Sequence, residues 1–390
     1  MLDKPWKPKM LDKPMKILYL HQYFRNPEEA GSHRSWYIAQ ALQKAGHHIE
    51  LVTAWSGKKY KKEQLEGIVV HYLPVSYQQN MFFWRRLIAF LSFFMKAFFL
   101  ALRTRYDKIY ATSTPLSIGF LAFLLKKIKK NNYIFEVRDL WPLVPIEMGF
   151  IKNNFLKKIL FFLERKVYEN AEKIVVLSPT MQKYVEEKVP FKEVVAIPNM
   201  SDCDFFQPIH KPHIRFRILY FGSIGLANKV EDFVELAVEN PYIDFFLAGE
   251  GSHLAFILEK AKNLSNFSYL GKKNKVEIKE LLQEIDAFFV SFANYKSLET
   301  SSPNKFFDGI AAGKMCITQT KGWLKELIEQ EKCGFYVANS QEFAEKIRNF
   351  LENEKKLLFY QNNARKVAEK YFEKNKLCTE IVNLFDRNTK

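Results

Sequence analysis

Residues 16–53 read KILYLHQYFRNPEEAGSHRSWYIAQALQKAGHHIELVT, and this stretch decides the fold. It begins with a short apolar run from Lys16 to His21 and continues through a polar loop that ends at Gly31-Ser32-His33-Arg34. Apolar residues at helical spacing then extend to about Ala45, and a second apolar run, Ile49 to Thr53, follows. Strand, helix and strand in this order predict a βαβ unit with two parallel strands.

The same alternation continues along the chain and restarts after a proline-containing connection at residues 206–212. Further strands are predicted at Ile68–Tyr72, Lys108–Ala111, Tyr133–Val137, Lys173–Leu177, Arg217–Phe221, Ile243–Ala248, Phe267–Leu270 and Ala287–Val290. The pattern predicts an α/β protein with two Rossmann-like α/β/α domains that face one another across a cleft. We expect an N-terminal domain at residues 15–208, a C-terminal domain at 209–360, and a last helical segment at 361–390 that could cross back to the first domain.

Length and charge agree with two domains of different character. A chain of 390 residues exceeds what one hydrophobic core usually supports. Residues 1–206 hold 32 Lys and Arg against 19 Asp and Glu, whereas residues 207–390 hold 27 against 24. The first half therefore faces something anionic. Because the chain shows no nucleic-acid reading motif, a membrane surface or a phosphorylated acceptor is favoured over nucleic acid.

The four cysteines are scattered, without a C-x-x-C pair or a nearby histidine at ligand spacing. This pattern indicates a reducing compartment and no zinc site. The N-terminal residues lack the apolar core of a signal peptide, so we expect a cytoplasmic protein.

Residues 82–105 combine aromatic and basic side chains at helical spacing. On a helix Arg85, Lys96 and Arg103 share a narrow stripe, and the phenylalanines Phe90, Phe94 and Phe98 lie around it. Charges interrupt the run too often for a membrane span. An amphipathic helix lying in an anionic membrane surface is predicted, with the three basic residues at the headgroups and the three phenylalanines inserted into the acyl boundary. A core helix that covers the sheet is the alternative. Similar chemistry at residues 123–130 and 155–166 favours the membrane surface.

Residues 302–314 read SPNKFFDGIAAGK, a polar loop that enters a helix of small residues. Backbone N–H groups at the helix start, around Asn304, can bind a diphosphate, and Lys305 can add positive charge. Asp308, one turn later, can accept hydrogen bonds from ribose hydroxyls. The segment predicts a nucleotide-sugar site that needs no metal, and a surface helix packed closely on a sheet is the alternative.

Several segments resemble one family: GHHIELVT at 46–53, EVRDLWP at 136–142, VLSP at 176–179, IPN at 197–199 with FQP at 206–208, and residues 304–313. They are similar to family 4 glycosyltransferases of the GT-B fold, and most similar to the bacterial fucosaminyltransferase-like subgroup of O-antigen, capsule and colanic-acid biosynthesis. The resemblance implies a retaining transfer of a sugar from a nucleotide-sugar donor, expected to be UDP-linked, with no metal and no other cofactor.

The resemblance also implies roles for particular residues. A loop beside the transferred sugar is matched by Gly31, Ser32, His33 and Arg34. The alternative is an ordinary surface loop. Arg138 and Asp139 match a sugar-contacting pair, in which Asp139 acts as acceptor-side partner or base and a salt bridge of Arg138 is the alternative. The donor-binding positions are Gly222, Ser223, Asn228, Lys229, Asn304, Lys305 and Asp308.

Three positions depart from the family pattern. Ser223 stands where the family has an arginine, Lys229 is one position from the expected lysine, and Thr300 replaces the first of two carboxylates. The D-x-D formed by Asp202 and Asp204 is discounted as a metal site, because it precedes the linker and Asp202 suits a turn. Gly249-Glu250-Gly251 lacks the third glycine of a dinucleotide fingerprint, which argues against a dehydrogenase.

Together these patterns predict a glycosyltransferase that acts on a polyprenyl-diphosphate-linked glycan at the inner face of the cytoplasmic membrane. Two other classes remain open: a sugar-nucleotide epimerase of the same fold, and a non-catalytic basic scaffold that binds membrane or nucleic acid.

Overall fold

The computed structural model describes residues 13–26, 29, 31–76 and 83–386. These residues form two compact units. The first contains the described residues of 13–26, 32–198 and 375–386, and the second contains residues 29, 31 and 199–374. The N-terminal lead-in and residue 82, with which the predicted amphipathic helix starts, lie outside the described residues.

The first unit is built on a sheet of eight described strands in the order β3-β4-β2-β1-β5-β6-β7-β8. All neighbours are parallel except β3, which pairs antiparallel with β4. The strands are β1 Lys16–Leu20, β2 His48–Trp55, β3 Lys61–Leu65, β4 Ile68–Pro74, β5 Lys108–Thr112, β6 Tyr133–Val137, β7 Lys173–Val176 and β8 Val194–Ala196.

Six helices of the first unit connect these strands. They are α1 Arg34–Lys44, α2 Phe83–Arg103, α3 Leu116–Lys129, α4 Leu143–Glu147, α5 Asn154–Asn170 and α6 Pro179–Lys188. Helix α6 shows why such a segment begins where it does: the Ser178 hydroxyl accepts a hydrogen bond from the Met181 N–H, and Pro179 occupies the first helical position. Helix α2 packs against α3, and α3 packs against α5.

The second unit has six described strands, all parallel, in the order β11-β10-β9-β12-β13-β14. The strands are β9 Arg217–Ser223, β10 Asp244–Glu250, β11 Phe267–Tyr269, β12 Ala287–Val290, β13 Met315–Thr318 and β14 Gly334–Tyr336. The helices are α7 Glu231–Glu239, α8 Leu254–Ala261, α9 Lys275–Gln283, α10 Asn304–Ala311, α11 Trp323–Gln330, α12 Ser340–Leu351 and α13 Glu354–Tyr371.

The last helix, α14 Lys374–Asn383, returns the chain to the first unit from Asn375 onward. Beyond its end, the ring of Phe385 lies 5.8 Å from that of Tyr110 on β5. The prediction of two α/β domains with parallel sheets is confirmed. Strands β3, β13 and β14 were not predicted.

Glycines allow the carboxyl ends of β9 and β10 to approach each other closely. Gly249 has φ of +150°, and a β-carbon there would lie 1.9 Å from the carbonyl oxygen of Gly222. A β-carbon at Gly251 would lie 2.1 Å from the carbonyl oxygen of Ile224. The Gly-Glu-Gly sequence is therefore explained by backbone packing, because any side chain at either glycine would push the two strand ends apart.

We predict that Gly249→Ala lowers the free energy of unfolding by about 1–3 kcal/mol, because the new methyl group has only backbone to displace. Gly271→Ala is the matched control: Gly271 also has positive φ, +79°, but nothing lies within 4 Å of its β-carbon position. Urea denaturation of both variants measures the difference. Equal losses would show that conformational strain, rather than the contact with Gly222, governs this position.

Candidate active site

Lys305 lies at the start of α10, beside the carboxyl end of β9. Its Nζ is 3.6 Å from the ring centroid of Tyr220, and its Cε is 3.4 Å from the position that a β-carbon would take at Gly222. Helix α10 is held close to the sheet because Gly309 abuts the ring of Phe288 on β12. The structure therefore brings together Gly222 and Lys305, two residues of the predicted donor site from elements far apart in sequence.

The Lys305 ammonium is buried, and its Nζ has no hydrogen-bond partner. Burial lowers the pKa of Lys305 to about 7, because the charged form has lost water without gaining an anion. An unsatisfied buried charged group is costly, and such groups are rare in folded proteins. A ligand phosphate would supply the missing counter-charge and raise this pKa again.

Asp308 follows one turn later on α10. Burial raises the pKa of this carboxyl to about 6, an effect opposed by Lys275 and reinforced by Asp202. The carboxyl and the Lys305 ammonium are thus both held in a low-dielectric setting on the first turns of one helix. Neutral polar partners such as ribose hydroxyls are suited to Asp308 there.

The remaining predicted donor residues follow β9 in sequence. Gly222 and Ser223 are exposed at the strand end. The Asn228 carbonyl oxygen accepts a hydrogen bond from the Ser291 hydroxyl, 2.6 Å away. Lys229 forms an ion pair with Asp232 at 2.9 Å and is half-exposed. Since Ser223 carries no charge, the buried cation beside this strand end comes from Lys305.

Residues 319–322, between β13 and Trp323 at the start of α11, form a loop that sequence reasoning missed. Trp323 Nε1 donates to the Ser301 carbonyl oxygen at 2.9 Å, and a β-carbon at Gly322 would lie 2.6 Å from the Glu299 carbonyl oxygen. The loop therefore packs on the segment that leads into α10. Within it, Gln319 Oε1 and Thr320 Oγ1 are buried without hydrogen-bond partners. In the sequence, the polar pair Gln319-Thr320 directly after the apolar run MCIT could have indicated this loop.

In that leading segment, Thr300 takes the place of the family's first carboxylate. Its hydroxyl donates to the Ser297 carbonyl oxygen at 2.7 Å. Asn304 is the first residue of α10, and within this first turn the Phe306 N–H donates to the Pro303 carbonyl oxygen at 3.0 Å.

A second polar cluster lies at the carboxyl ends of β5 and β6 in the first unit. The Arg138 guanidinium donates to Ser32 Oγ at 3.0 Å, and the Arg138 backbone N–H donates to Ser113 Oγ at 2.9 Å. Asp139 Oδ2 accepts a hydrogen bond from the Thr114 hydroxyl at 2.8 Å. The structure thus brings together Ser32, Arg138 and Asp139 at this edge of the sheet.

Arg34 and His33 differ from the expected open loop. Arg34 is buried in an ion pair with Glu136 of β6 at 3.0 Å, and it also donates to the carbonyl oxygens of Ile197 and Pro198. His33 is buried at the N-cap of α1, where its ring meets Tyr37 edge-on. The assignment of Arg34 to the ligand-facing loop is therefore corrected to a supporting role. Gly31 has φ of +132°, a conformation that favours glycine.

The D-x-D sequence is occupied by internal contacts. Asp202 Oδ1 accepts hydrogen bonds from Lys374 Nζ at 2.7 Å and from the Phe205 N–H at 3.3 Å. Lys275 Nζ lies 3.8 Å from the same carboxylate. Asp202 thus caps a turn and pairs with lysines. Among the described residues, no group of three His, Cys, Asp or Glu side chains could hold a metal ion.

Helix α2 faces the solvent with a different stripe from the predicted one. Phe94 and Phe98 are half-buried: their rings stack on each other at 6.4 Å, and Phe94 stacks on Phe120 of α3 at 6.0 Å. Phe90 is also half-buried. The exposed apolar residues of α2 are Ile88, Leu91, Met95 and Phe99. The predicted insertion of Phe94 and Phe98 is therefore corrected, because both rings are partly buried against the core and Phe94 also stacks on Phe120.

The predicted basic residues of α2, Arg85, Lys96 and Arg103, are exposed. Lys96 Nζ donates to the Pro74 carbonyl oxygen at 2.6 Å. The opposite side of α2 packs into the core, where it contributes Ala89, Phe93, Ala97 and Ala101. The core-helix alternative is therefore correct for this face of the helix.

Helix α5 carries a second exposed apolar stripe, formed by Phe155, Leu156, Ile159 and Phe162. Phe155 is 73% exposed, a high value for an aromatic side chain. Lys157 and Lys158 are on the same turn. None of the helices in the described part of the chain has the length and apolarity that crossing a membrane requires.

Two family models match the chain. Residues 31–200 match the glycosyl transferase 4-like domain, and residues 204–367 match the glycosyl transferases group 1 domain. Together the two models cover nearly all of residues 31–367. No curated protein matches the chain by sequence.

Solved structures share the fold over almost the whole chain. Sucrose-phosphate synthase from Thermosynechococcus elongatus is 15% identical, with a TM-score of 0.78 over 95% of this chain and 98% of that one. HepE from Anabaena, in complex with UDP-glucose, is 13% identical with a TM-score of 0.68 over 95% and 99%. WaaG, a glycosyltransferase involved in lipopolysaccharide biosynthesis, is 14% identical with a TM-score of 0.65 over 94% and 99%. At these identities the likeness shows the fold alone.

We predict that the affinity for a nucleoside diphosphate ligand falls between pH 7 and pH 9. Lys305 has a pKa of about 7 in the free protein and must be protonated to pair with a phosphate. Above pH 7 binding requires proton uptake by Lys305, so affinity falls up to tenfold per pH unit. Isothermal titration calorimetry with UDP at several pH values measures this dependence.

Lys305→Met should weaken UDP binding and remove its pH dependence in this range. Lys314→Met is the matched control, because Lys314 is a second buried lysine whose pKa burial lowers to about 8, but its Nζ donates to the Ile209 carbonyl oxygen at 2.7 Å. The control should keep the pH dependence. Unchanged affinity in the Lys305 variant would remove Lys305 from the donor site.

Proposed function

The chain belongs to family 4 of the glycosyltransferases and has the GT-B fold, and on this basis we propose that it transfers a sugar, with retention of configuration, from a UDP-linked donor to a lipid-linked glycan. The acceptor we propose is a polyprenyl-diphosphate-linked glycan of bacterial surface polysaccharide synthesis, of the O-antigen, capsule or colanic-acid type. Matches to two glycosyltransferase models favour this activity over that of a sugar-nucleotide epimerase.

The observation that carries the donor assignment is the unpaired Lys305 ammonium beside Gly222. A nucleoside diphosphate has the charge that this position lacks. When the bond between sugar and diphosphate breaks, negative charge grows on the leaving diphosphate. Lys305 and the N–H groups at the start of α10 would stabilise that charge more strongly in the transition state than in the bound donor.

The acceptor assignment rests on the Ser32, Arg138 and Asp139 cluster of the first unit. The Asp139 carboxylate can accept a hydrogen bond from an acceptor hydroxyl and take up its proton as that oxygen becomes bonded to the sugar. Thr114 donates to one Asp139 oxygen and so leaves the other oriented for this contact. Arg138 is fixed by Ser32 and can bind a sugar hydroxyl or a phosphate oxygen.

The membrane location is proposed from the exposed stripes of α2 and α5. Each stripe combines apolar side chains with lysine or arginine, the arrangement that favours the interface of an anionic bilayer. On this basis the protein binds peripherally to the inner face of the cytoplasmic membrane, where a polyprenyl-linked acceptor would be present. The excess of positive charge in residues 1–206 supports the same partner.

Sugar transfer from labelled UDP-sugars to polyprenyl-diphosphate-linked saccharides, in the presence of EDTA, tests the function. We predict that Asp139→Asn lowers turnover about 100-fold or more while UDP-sugar affinity stays within twofold of wild type, because a general base acts mainly in the transition state. Thr114→Val, which removes only the hydrogen bond to Asp139, should cause a smaller loss. Full turnover of the Asp139 variant would assign this residue to structure.

We predict that Ile88, Met95 and Phe99, changed together to Ser, release the protein from vesicles of phosphatidylethanolamine and phosphatidylglycerol. Each nearby basic residue adds about 1 kcal/mol at low salt, so the wild type should bind and should dissociate as salt increases. Vesicle co-sedimentation measures the bound fraction. Val276, Leu358 and Phe359, also exposed but in the second unit, give the control triple variant, which should stay bound. Equal binding by all three proteins would contradict the assignment of this face.

A further inference from the structure

Thr320 is buried, yet its hydroxyl oxygen has no hydrogen-bond partner. The Thr320 backbone N–H donates to Thr318 Oγ1 at 3.0 Å, and the Gln319 N–H donates to the Val290 carbonyl oxygen at 3.2 Å. The backbone of this loop is therefore fixed to β12 and β13, while two side-chain oxygens, Gln319 Oε1 and Thr320 Oγ1, remain unpaired. Buried polar atoms without partners are uncommon, and two in adjacent residues of one loop can be satisfied by a polar ligand.

The loop lies at the same edge of the sheet as Lys305. Strand β13 is the neighbour of β12, which in turn is the neighbour of β9. Through Gly322 and Trp323 the loop contacts residues 299–301, which lead directly into the helix that carries Lys305. A ligand bound at the start of α10 would therefore have this loop as a neighbour.

We propose that Thr320 and Gln319 bind hydroxyl groups of the transferred sugar and so determine which donor sugar is accepted; this inference rests on the proposed function. An amide oxygen only accepts hydrogen bonds, so the partner of Gln319 Oε1 must carry an O–H or N–H group. Diphosphate oxygens of a sugar nucleotide have none at neutral pH. In the proposed site Lys305 binds the phosphates and Asp308 binds the ribose. The hydroxyl groups of the sugar therefore remain to bind this loop.

If Thr320 binds the ligand, its replacement should change Tm and donor affinity in a way that replacement of a threonine with a purely structural role would not. Removing the Thr320 hydroxyl takes an unpaired polar atom out of the free protein, so Thr320→Val should raise Tm in the absence of ligand. The same change deprives the sugar of a partner, and a site built for a hydroxyl discriminates strongly when that contact is lost. Stability and donor affinity should thus move in opposite directions.

The test compares the dissociation constants of UDP, UDP-glucose, UDP-galactose, UDP-N-acetylglucosamine and UDP-N-acetylgalactosamine, measured by isothermal titration calorimetry. The ratio of the UDP value to that of the tightest UDP-sugar is the contribution of the sugar. Thr320→Val should reduce this contribution about tenfold, leave UDP affinity within twofold and raise Tm. Thr320→Ser, which keeps the hydroxyl, should retain the sugar contribution.

Thr318→Val is the matched control, because the Thr318 hydroxyl donates to the Val290 carbonyl oxygen at 2.8 Å and accepts from the Thr320 N–H. This variant should lower Tm, the opposite sign to Thr320→Val. A lower Tm for Thr320→Val, an equal loss of UDP and UDP-sugar affinity, or an unchanged sugar contribution would each overturn the inference alone. A wild-type protein that binds neither UDP nor any of these UDP-sugars would overturn the proposed function itself.

Discussion

Parallel pairing brings the carboxyl ends of neighbouring strands to one edge of a sheet, and both candidate sites of this protein depend on that constraint. In the first unit, Ser113 and Arg138 directly follow β5 and β6, and the Arg138 backbone N–H donates to the Ser113 hydroxyl. In the second unit, Lys305 packs beside Gly222 near the end of β9, and β13 is followed by the loop with the unpaired oxygens. The polar residues of each site are thus gathered from distant segments by the hydrogen bonding of the strands.

The buried cations differ in whether they have a hydrogen-bond acceptor or a counter-charge. This difference separates residues that support the fold from residues available to a ligand. Arg34 is as deeply buried as Lys305, but it has a carboxylate and two carbonyl oxygens as partners. Lys314 has a carbonyl partner at 2.7 Å. The Lys305 ammonium lies over the ring of Tyr220 and has no hydrogen-bond acceptor. Burial alone therefore does not distinguish these three cations, whereas the presence or absence of a hydrogen-bond acceptor does.

Sequence periodicity predicted most strands of both sheets, because an apolar run of four to eight residues between polar loops is a local property. It missed β3, β13 and β14, which have five, four and three residues. It also placed Phe94 and Phe98 on the wrong side of α2. A helical pattern shows which residues share a face, but Phe120 of α3 decides which faces are covered.

The sites were predictable to a similar degree. Lys305 and the Arg138–Asp139 pair were proposed from motifs, and the structure places Lys305 beside the end of β9 and the pair directly after β6. The structural role of Arg34 was missed, although Glu136 in the apolar strand YIFEV was a signal, since a buried carboxylate requires a cation. The lack of a partner at Lys305 was not predictable, because it depends on Tyr220 and Gly222, more than 80 positions earlier in the chain.

Strand β3 has a consequence for the behaviour of the protein at high local concentration. It forms one edge of the eight-stranded sheet, is antiparallel to its neighbour and carries two exposed lysines, Lys61 and Lys62. An exposed strand edge can recruit a strand from another molecule, and charged side chains, lysine above all, oppose such recruitment. Copies of the protein that meet at this edge would present repulsive charges to each other. β3 thereby protects the first unit from edge-to-edge aggregation.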